Sequence, residues 1–350
     1  MPISSNGLES RRLSRYDFEQ LRNAYIRENQ LYPKALIFRV GGEAGFYSEV
    51  GTMLECMMFC FVNGIQFRLY SDDSSFQAAG RGWQQFFEPF CIDSHSPLNR
   101  FFNVRQPPRL RELVRRPFIF DQGIVGNINR LVSPFGRKVL LRSEKANYLM
   151  GDYFKSFAST EFRDQWINWP LFNMNGKVFF EIAKLMSFVL RYNDSTFQRI
   201  SDIRASLNLP DDYISIQMRG GDKIASMKSK KYQYAGDTGS PSFYIKKLED
   251  SGKDFKNIFI LSDDFRHVEA VQAAHPEWNV YTLTTSDERG YVHQKFKSLD
   301  WNVKERMLVK LFCAVEICID SSFHFGHEVS SPTKVIRALK PSSKYQGMLI

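Results

Sequence analysis

Short apolar segments typical of β-strands alternate with helical segments in both halves of the chain, and this alternation constrains the fold more than any other feature. In the first half, residues 34–40 (KALIFRV) and 65–71 (IQFRLYS) flank an apolar, Met-rich helical stretch at about 50–63. A strand, a helix and a second strand in this order form a βαβ unit with parallel strands. The sequence therefore predicts a parallel sheet whose first turn, at 41–45, is rich in glycine.

The same alternation resumes at residue 213, after polar and Pro-containing stretches near 195–212. Predicted strands cover 213–218, 257–261, 279–284 and 317–320, and predicted helices cover 242–250, 264–274, 303–315 and 331–339. We therefore predict an α/β protein of two Rossmann-like domains, residues 1–200 and 201–350, with a ligand cleft between them.

The composition and charge of the chain limit its expected binding partners and cellular location. The net charge is +9, but no basic block is dense enough for a nucleic-acid arm, and the basic run 105–116 is interrupted by prolines and a glutamate. The best apolar run, 53–62, is too short to span a bilayer, so no transmembrane segment is expected. The N-terminus lacks an apolar signal core and the five cysteines show no close pairing. Both features favour a soluble, cytoplasmic protein with reduced thiols. The lack of a dense basic block favours the absence of a nucleic-acid partner.

Polar residues follow three of the predicted strands in the second half. Ligands of open parallel sheets bind at the carboxyl ends of strands, so three polar endings predict one site. The three stretches are Arg219-Gly220-Gly221-Asp222-Lys223, Ser262-Asp263-Asp264 and Asp320-Ser321-Ser322.

These residue types suit a nucleoside diphosphate. The guanidinium of Arg219 is a fixed fork of donors that matches a phosphate, and Gly220 lets the backbone approach it. Ser321 and Ser322 would add hydroxyl and backbone N–H donors. The pair Asp263-Asp264 would accept hydrogen bonds from ribose or base. Helix caps and turns are the alternative explanation for the aspartates and serines, but they explain the arginine poorly.

Metal and mononucleotide signatures are missing from the sequence. It has no G-x-x-x-x-G-K-[ST] loop and no Asp-x-Asp tripeptide. His324 and His327 are three residues apart, a poorer spacing for two ligands on a helix than four, so a structural or acceptor-side role is favoured. The sequence therefore predicts no metal and no cofactor.

At these residues the sequence resembles the α-1,6-fucosyltransferases and, more distantly, the nodulation and protein O-fucosyltransferases. The resemblance runs from about residue 36 and rests on four stretches in order: AGRGWQQFFEPFC (79–91), YISIQMRGGDKI (213–224), IFILSDDFRHVEAV (258–271) and EICIDSSFHFGHEV (316–329). It implies a GT-B-like, metal-independent transferase that moves L-fucose from GDP-fucose to a glycan acceptor with inversion. Arg219 would then hold the β-phosphate, with Asp222 and Lys223 matching the same motif.

The full set of donor-binding residues expected from the motifs is Gly42, Arg219, Gly220, Asp222, Lys223, Asp263, Asp264, Ser321 and Ser322. The chain departs from the family at three places. Gln217 stands where the family usually has His, Gly220 where it has a second Arg, and Met227 where it has an acidic residue.

The general base is expected in the first domain, opposite the leaving diphosphate. Glu43 follows the first strand in the turn VGGEAGF, which resembles the Gly-Glu-Gly-Phe turn of some protein O-fucosyltransferases. Glu49 and Asp222 are the rival candidates. The structural alternative is that Glu43 only caps the following helix.

Two other functions remain open at this point. The same fold could use another nucleotide sugar, such as UDP-xylose. The loss of the acidic residue at Met227 also favours a non-catalytic protein that binds a nucleotide sugar or a glycan.

Overall fold

The computed structural model describes residues 13–78, 80–108, 123–156, 160–220, 240–252, 255–327, 330–340 and 342–348. The described chain forms two compact units that meet in sequence between Arg191 and Tyr192. The division predicted after residue 200 falls inside a helix, Asp194–Ser206, which belongs to the second unit.

The first unit is built around four parallel strands in the order β3-β2-β1-β4. A separate antiparallel hairpin, β5-β6, completes its strands. Its elements are α1 Arg15–Gln30, β1 Lys34–Arg39, α2 Phe46–Val62, β2 Ile65–Tyr70, β3 Ile92–Asp93, α3 Asn99–Phe102, α4 Gly123–Ser143, β4 Tyr148–Leu149, α5 Met150–Ser156, α6 Thr160–Asp164, β5 Trp166–Trp169, β6 Met174–Lys177 and α7 Val178–Val189.

The predicted βαβ unit is confirmed. The two strands pair in parallel with Lys34 opposite Ile65 and Arg39 opposite Tyr70. The connecting helix α2 is apolar around most of its circumference because it is packed on several sides, with its buried residues running from Phe46 to Cys60. It begins four residues before the predicted start because Gly45 is its N-cap.

The second unit contains five parallel strands in the order β11-β10-β7-β8-β9. Both predicted α/β halves are therefore present. Its elements are α8 Asp194–Ser206, β7 Ile214–Met218, α9 Pro241–Glu249, β8 Asn257–Ser262, α10 Phe265–Ala274, β9 Asn279–Thr282, α11 His293–Ser298, α12 Trp301–Asp320, β10 Phe323–His327, α13 Ser331–Leu339 and β11 Tyr345–Met348.

The predicted strand at 317–320 is wrong. These residues are the last turn of α12, and the strand follows at Phe323–His327. The run Ile317-Cys318-Ile319 is apolar because this end of the helix is buried on all sides, and periodicity does not distinguish a short buried helical turn from a buried strand.

Candidate functional site

The order of the strands in the second unit locates a crevice. The chain moves from β7 to β8 and β9 in one direction, and then returns to place β10 on the other side of β7. The strand order thus reverses between β7 and β10. In open parallel sheets, this reversal point at the carboxyl edge is where ligands bind. Arg219 follows β7 there, and α13 begins after β10 at the same edge.

Asp263 organises the turn that carries Arg219. One oxygen, Oδ1, accepts the backbone N–H of Gly220 at 2.6 Å. The other, Oδ2, accepts the backbone N–H of Tyr291 at 3.0 Å and lies 3.3 Å from Arg219 Nη1. Both side chains of the ion pair are mostly buried, at 21% and 15% exposure. The structure therefore brings together two of the predicted donor residues, Arg219 and Asp263, around a fixed backbone turn.

Two tyrosines complete this turn, and no sequence motif points to either. The backbone N–H of Arg219 donates to the Tyr244 hydroxyl at 3.5 Å, and burial raises the pKa of Tyr244 to about 12. The guanidinium carbon of Arg219 lies 5.7 Å from the centre of the Tyr291 ring, within reach of a cation–π interaction. These contacts hold the arginine at the strand end.

The surroundings of Gly220 leave little room for a side chain. A Cβ at this position would lie 3.1 Å from both Asp263 Oδ1 and Asp264 Cβ, and 3.5 Å from the His267 ring. The second arginine of the fucosyltransferase pattern does not fit here unless the acidic pair moves. The close approach to the Gly220 backbone, which is predicted for a phosphate, is thus made in the structure by Asp263 and Asp264.

Asp264 differs from its neighbour. It is the N-cap of α10, where its carboxylate accepts the backbone N–H of Arg266 at 3.1 Å. Both of its oxygens also contact the Arg266 guanidinium, and this hydrogen bonding holds the pKa of Asp264 below its ordinary value. A nearly buried, capped carboxylate of this kind is explained by the helix end, so its predicted contact with a nucleoside stays a prediction.

Ser321 and Ser322 lie at the opposite edge of the sheet from Arg219. They precede β10, and the backbone N–H and the hydroxyl of Ser322 both donate to the carbonyl of Tyr213, which precedes β7. The buried hydroxyl of Ser321 donates to the main-chain oxygens of Cys318, in the last turn of α12, and Phe323, at the start of β10. Their predicted phosphate contact depended on the wrong strand at 317–320, and it does not fit this position.

Two other serines, at the start of α13, lie at the same edge of the sheet as Arg219. Ser330 is its N-cap and is mostly buried. Gln217, at the end of β7, donates from Nε2 to the Ser330 hydroxyl at 2.7 Å and accepts the Thr333 hydroxyl through Oε1. These bonds fix the start of α13 beside Arg219. The sequence signal was the Ser-Ser-Pro-Thr stretch, because Pro favours the first helical turn.

Other predicted members of the donor site, Asp222 and Lys223, lie outside the described residues, as does Met227. Nothing structural bears on them.

In the first unit, the glycine turn after β1 is built around Glu49. Its Oε1 accepts the backbone N–H groups of Glu43 at 3.1 Å and Ala44 at 2.8 Å, and Oε2 accepts that of Gly41 at 3.4 Å. Burial raises the pKa of Glu49, and these three hydrogen bonds oppose the rise. Gly41 has a φ of +83°, and a Cβ there would lie 1.9 Å from the Ser74 hydroxyl. The rival base Glu49 is thus committed to holding the turn.

Glu43 is exposed and shares a pocket with basic residues at this sheet edge. Gly42, Arg39 and Arg105 are among the residues that line it. Arg39 pairs with Asp73 at 2.5 Å, and the Arg105 guanidinium lies 4.0 Å from the centre of the Phe154 ring. Glu43 is therefore an accessible carboxylate near two arginines, and Gly42 belongs to the same pocket of the first unit.

A second pocket, of about 360 Å³, lies at the carboxyl ends of β2 and β3. His95 Nδ1 is 3.0 Å from Asp72 Oδ2, and this contact raises the pKa of His95. Asp93, whose pKa is raised by burial, accepts the Gln84 amide at 3.3 Å. The pocket is also lined by Trp83, whose buried indole N–H has no hydrogen-bond partner in the described part of the chain. A His–Asp pair was not found from sequence, because Asp72 and His95 are far apart along the chain.

The described ranges bear on three further expectations, which concern metal binding, the state of the cysteines and membrane spans. These ranges contain no group of three or more His, Cys, Asp or Glu side chains placed to hold a metal ion. All five cysteines are free and buried. None of the helices in these ranges has the length and apolar character needed to cross a bilayer. His324 is fully buried and burial lowers its pKa to about 3, consistent with the structural role favoured for it.

Comparison with known proteins finds similarity only in solved structures. No family model matches the chain, and no curated protein matches it either. The NodZ α-1,6-fucosyltransferase co-crystallised with GDP is 11% identical and covers 88% of this chain and 93% of its own, with a TM-score of 0.47. POFUT1 in complex with GDP-fucose is also 11% identical, over 91% of this chain and 98% of its own, with a TM-score of 0.46. Both are fucosyltransferases by name, and at this identity the comparison concerns the arrangement of the chain alone.

Proposed function

We propose that this chain is a glycosyltransferase that transfers L-fucose from GDP-fucose to a glycan acceptor, by inversion and without a metal ion. The observation that carries the proposal is the Arg219–Asp263 arrangement at the point where the strand order reverses. A phosphate-binding side chain at this edge of a parallel sheet suits a nucleotide donor.

The donor diphosphate would be bound by Arg219 and the first turn of α13. The contact between Arg219 Nη1 and Asp263, at 3.3 Å, is longer than a well-formed charge-assisted hydrogen bond, so a phosphate can compete for the guanidinium. Backbone N–H groups at a helix start attract anions. This helix replaces Ser321-Ser322 in our proposed phosphate site. Charge on the leaving diphosphate would be neutralised by these groups, with Lys223 as a further candidate.

The acceptor would be bound by the first unit, where two groups are suited to deprotonate its hydroxyl. Glu43 is our first candidate because its carboxylate is exposed and lines a pocket. His95 is the second, because a carboxylate on Nδ1 leaves Nε2 as the proton acceptor once the ring is neutral. Asp222 stays a third candidate from sequence alone.

The proposal is tested by a screen of GDP- and UDP-sugars for hydrolysis and transfer, with and without EDTA. We expect turnover of GDP-fucose that EDTA does not reduce. Arg219→Ala should lower kcat/KM by about 30- to 1000-fold, which corresponds to roughly 2–4 kcal/mol of lost transition-state stabilisation.

Arg266→Ala is the matched control, since this arginine is exposed and pairs with the other member of the acidic pair. It should behave like the unmodified chain. Turnover of UDP-xylose in place of GDP-fucose would support the second donor. Tight binding of a nucleotide sugar without turnover would support the non-catalytic alternative.

A further inference from the structure

The positive charge of the chain is concentrated in one stretch of sequence. Residues 100–143 contain ten Arg or Lys and two acidic residues, a net charge of +8 against +9 for the whole chain. This stretch includes α4 (Gly123–Ser143), which contains no Asp or Glu. The helix itself contains Arg130, Arg137, Lys138 and Arg142, and is therefore net cationic.

An apolar stripe on α4 is exposed. The side chains of Ile128, Leu131, Val132, Phe135 and Val139 are 52%, 40%, 41%, 73% and 38% exposed. The spacing of three and four residues places them on one face of the helix. Large apolar side chains grouped in this way on a surface indicate an interaction site.

The opposite face of α4 carries small residues that pack on the first unit. Ser133 and Gly136 are buried, and a Cβ on Gly136 would lie 2.3 Å from the Phe102 ring. Arg137 forms two hydrogen bonds to the Asp152 carboxylate, at 2.8 and 2.9 Å. The helix is thus held with its small residues inward, and its large apolar residues face away from the unit.

Cationic side chains border the stripe. Lys138 and Arg142 are exposed, and their helical positions place them along one side of the five apolar residues. An apolar stripe flanked by basic residues, on a helix that lacks acidic ones, matches the pattern of helices that lie in the headgroup plane of anionic bilayers. A partner protein would need an apolar groove rimmed with acid to match the same face.

We propose that the exposed face of α4 docks this chain onto an anionic lipid bilayer. Its apolar stripe enters the boundary between headgroups and acyl chains, and Lys138 and Arg142 contact the anionic headgroups. This membrane contact is peripheral and does not depend on the proposed glycosyl transfer.

Sedimentation of the full chain with vesicles tests this inference. We expect binding to vesicles of 70% phosphatidylcholine and 30% phosphatidylglycerol at low salt, little binding to pure phosphatidylcholine, and at least tenfold weaker binding in 0.5 M NaCl. Val132→Gln with Phe135→Gln should weaken binding at least tenfold. Lys138→Glu with Arg142→Glu should do the same.

The matched control is Phe179→Gln with Phe180→Gln, which alters two exposed aromatic residues elsewhere in the same unit. It should bind vesicles like the unmodified chain, and circular dichroism should show that every variant is folded. Binding that is absent, indifferent to lipid charge or equally reduced in the control would overturn the inference. A dimer in solution that Val132→Gln with Phe135→Gln dissociates would assign the face to self-association instead.

Discussion

Replacing Asp263 by Asn should damage the second unit severely, whereas the same replacement at Asp264 should be mild. The two carboxylate oxygens of Asp263 accept hydrogen bonds from two different backbone N–H groups, those of Gly220 and Tyr291. Asparagine has only one oxygen, so its NH₂ group must face one of these donors. One buried N–H then loses its partner, and Arg219 loses its counter-charge.

The size of the effect follows from these contacts. Losing a hydrogen bond to a charged acceptor and leaving a buried N–H unsatisfied should together cost about 2–4 kcal/mol of unfolding free energy. For a unit of this size that corresponds to an apparent Tm lower by roughly 5–15 °C. Asp264→Asn keeps a good N-cap. It gives up the ion pair with Arg266, and because that guanidinium is 66% exposed, solvent screens much of the interaction although the Asp264 side chain is nearly buried.

Urea unfolding of both variants measures the difference, and calorimetric titration with GDP reads out the donor site. We expect a lower midpoint and weaker GDP binding for Asp263→Asn, with both quantities nearly unchanged for Asp264→Asn. Equal shifts in the two variants, in either direction, would refute the assignment of different tasks to the two aspartates.

Three further matched comparisons follow from the structure. Gly41→Ala should destabilise the first unit by about 1–3 kcal/mol because its backbone is left-handed and crowded, whereas Gly45→Ala, which meets open space, should be close to neutral in thermal unfolding. The free energy of unfolding should fall as the pH drops below about 6.5, by up to about 1.4 kcal/mol per pH unit, because His324 binds a proton in the unfolded chain but not in the folded one. Urea titrations at pH 5–7 should show a flatter slope for His324→Phe. Glu43→Gln should lower kcat by about 10²- to 10⁴-fold and leave the Tm unchanged. Glu49→Gln should lower the Tm, because the Glu49 carboxylate holds the turn. Normal turnover of Glu43→Gln would move the search for the base to His95.

Most of the fold could be predicted from the sequence because its strands are short apolar runs with polar ends. The predicted strand 257–261 and the predicted helix 331–339 agree with the structure to within a residue. The error at 317–320 has a physical cause. A helix that is buried all round at one end loses the periodicity that identifies it, so Ile317-Cys318-Ile319 is indistinguishable from a strand.

The candidate site could be predicted only in part, because strand ends are local features and contacts across the sheet are not. Arg219 and Asp263 were found because each follows an apolar run. The roles of Gln217 and Tyr291 depend on which strands are neighbours, and that order is set by packing. Hydrogen bonds between residues far apart in sequence, such as those of Gln217 with Ser330, leave no pattern in a single sequence.

Gly220 and Gln217, the two departures from the fucosyltransferase pattern at the end of β7, each make close contacts with neighbouring elements. A Cβ at Gly220 would lie 3.1 Å from both Asp263 Oδ1 and Asp264 Cβ, so a larger residue there requires the acidic pair to shift. Gln217 binds both Ser330 and Thr333 and so fixes the start of α13 at the same edge. Backbone N–H groups at that helix start can take over part of the charge compensation. Under the proposed function, the helix start held by Gln217 and the guanidinium of Arg219 would together compensate the charge of the diphosphate.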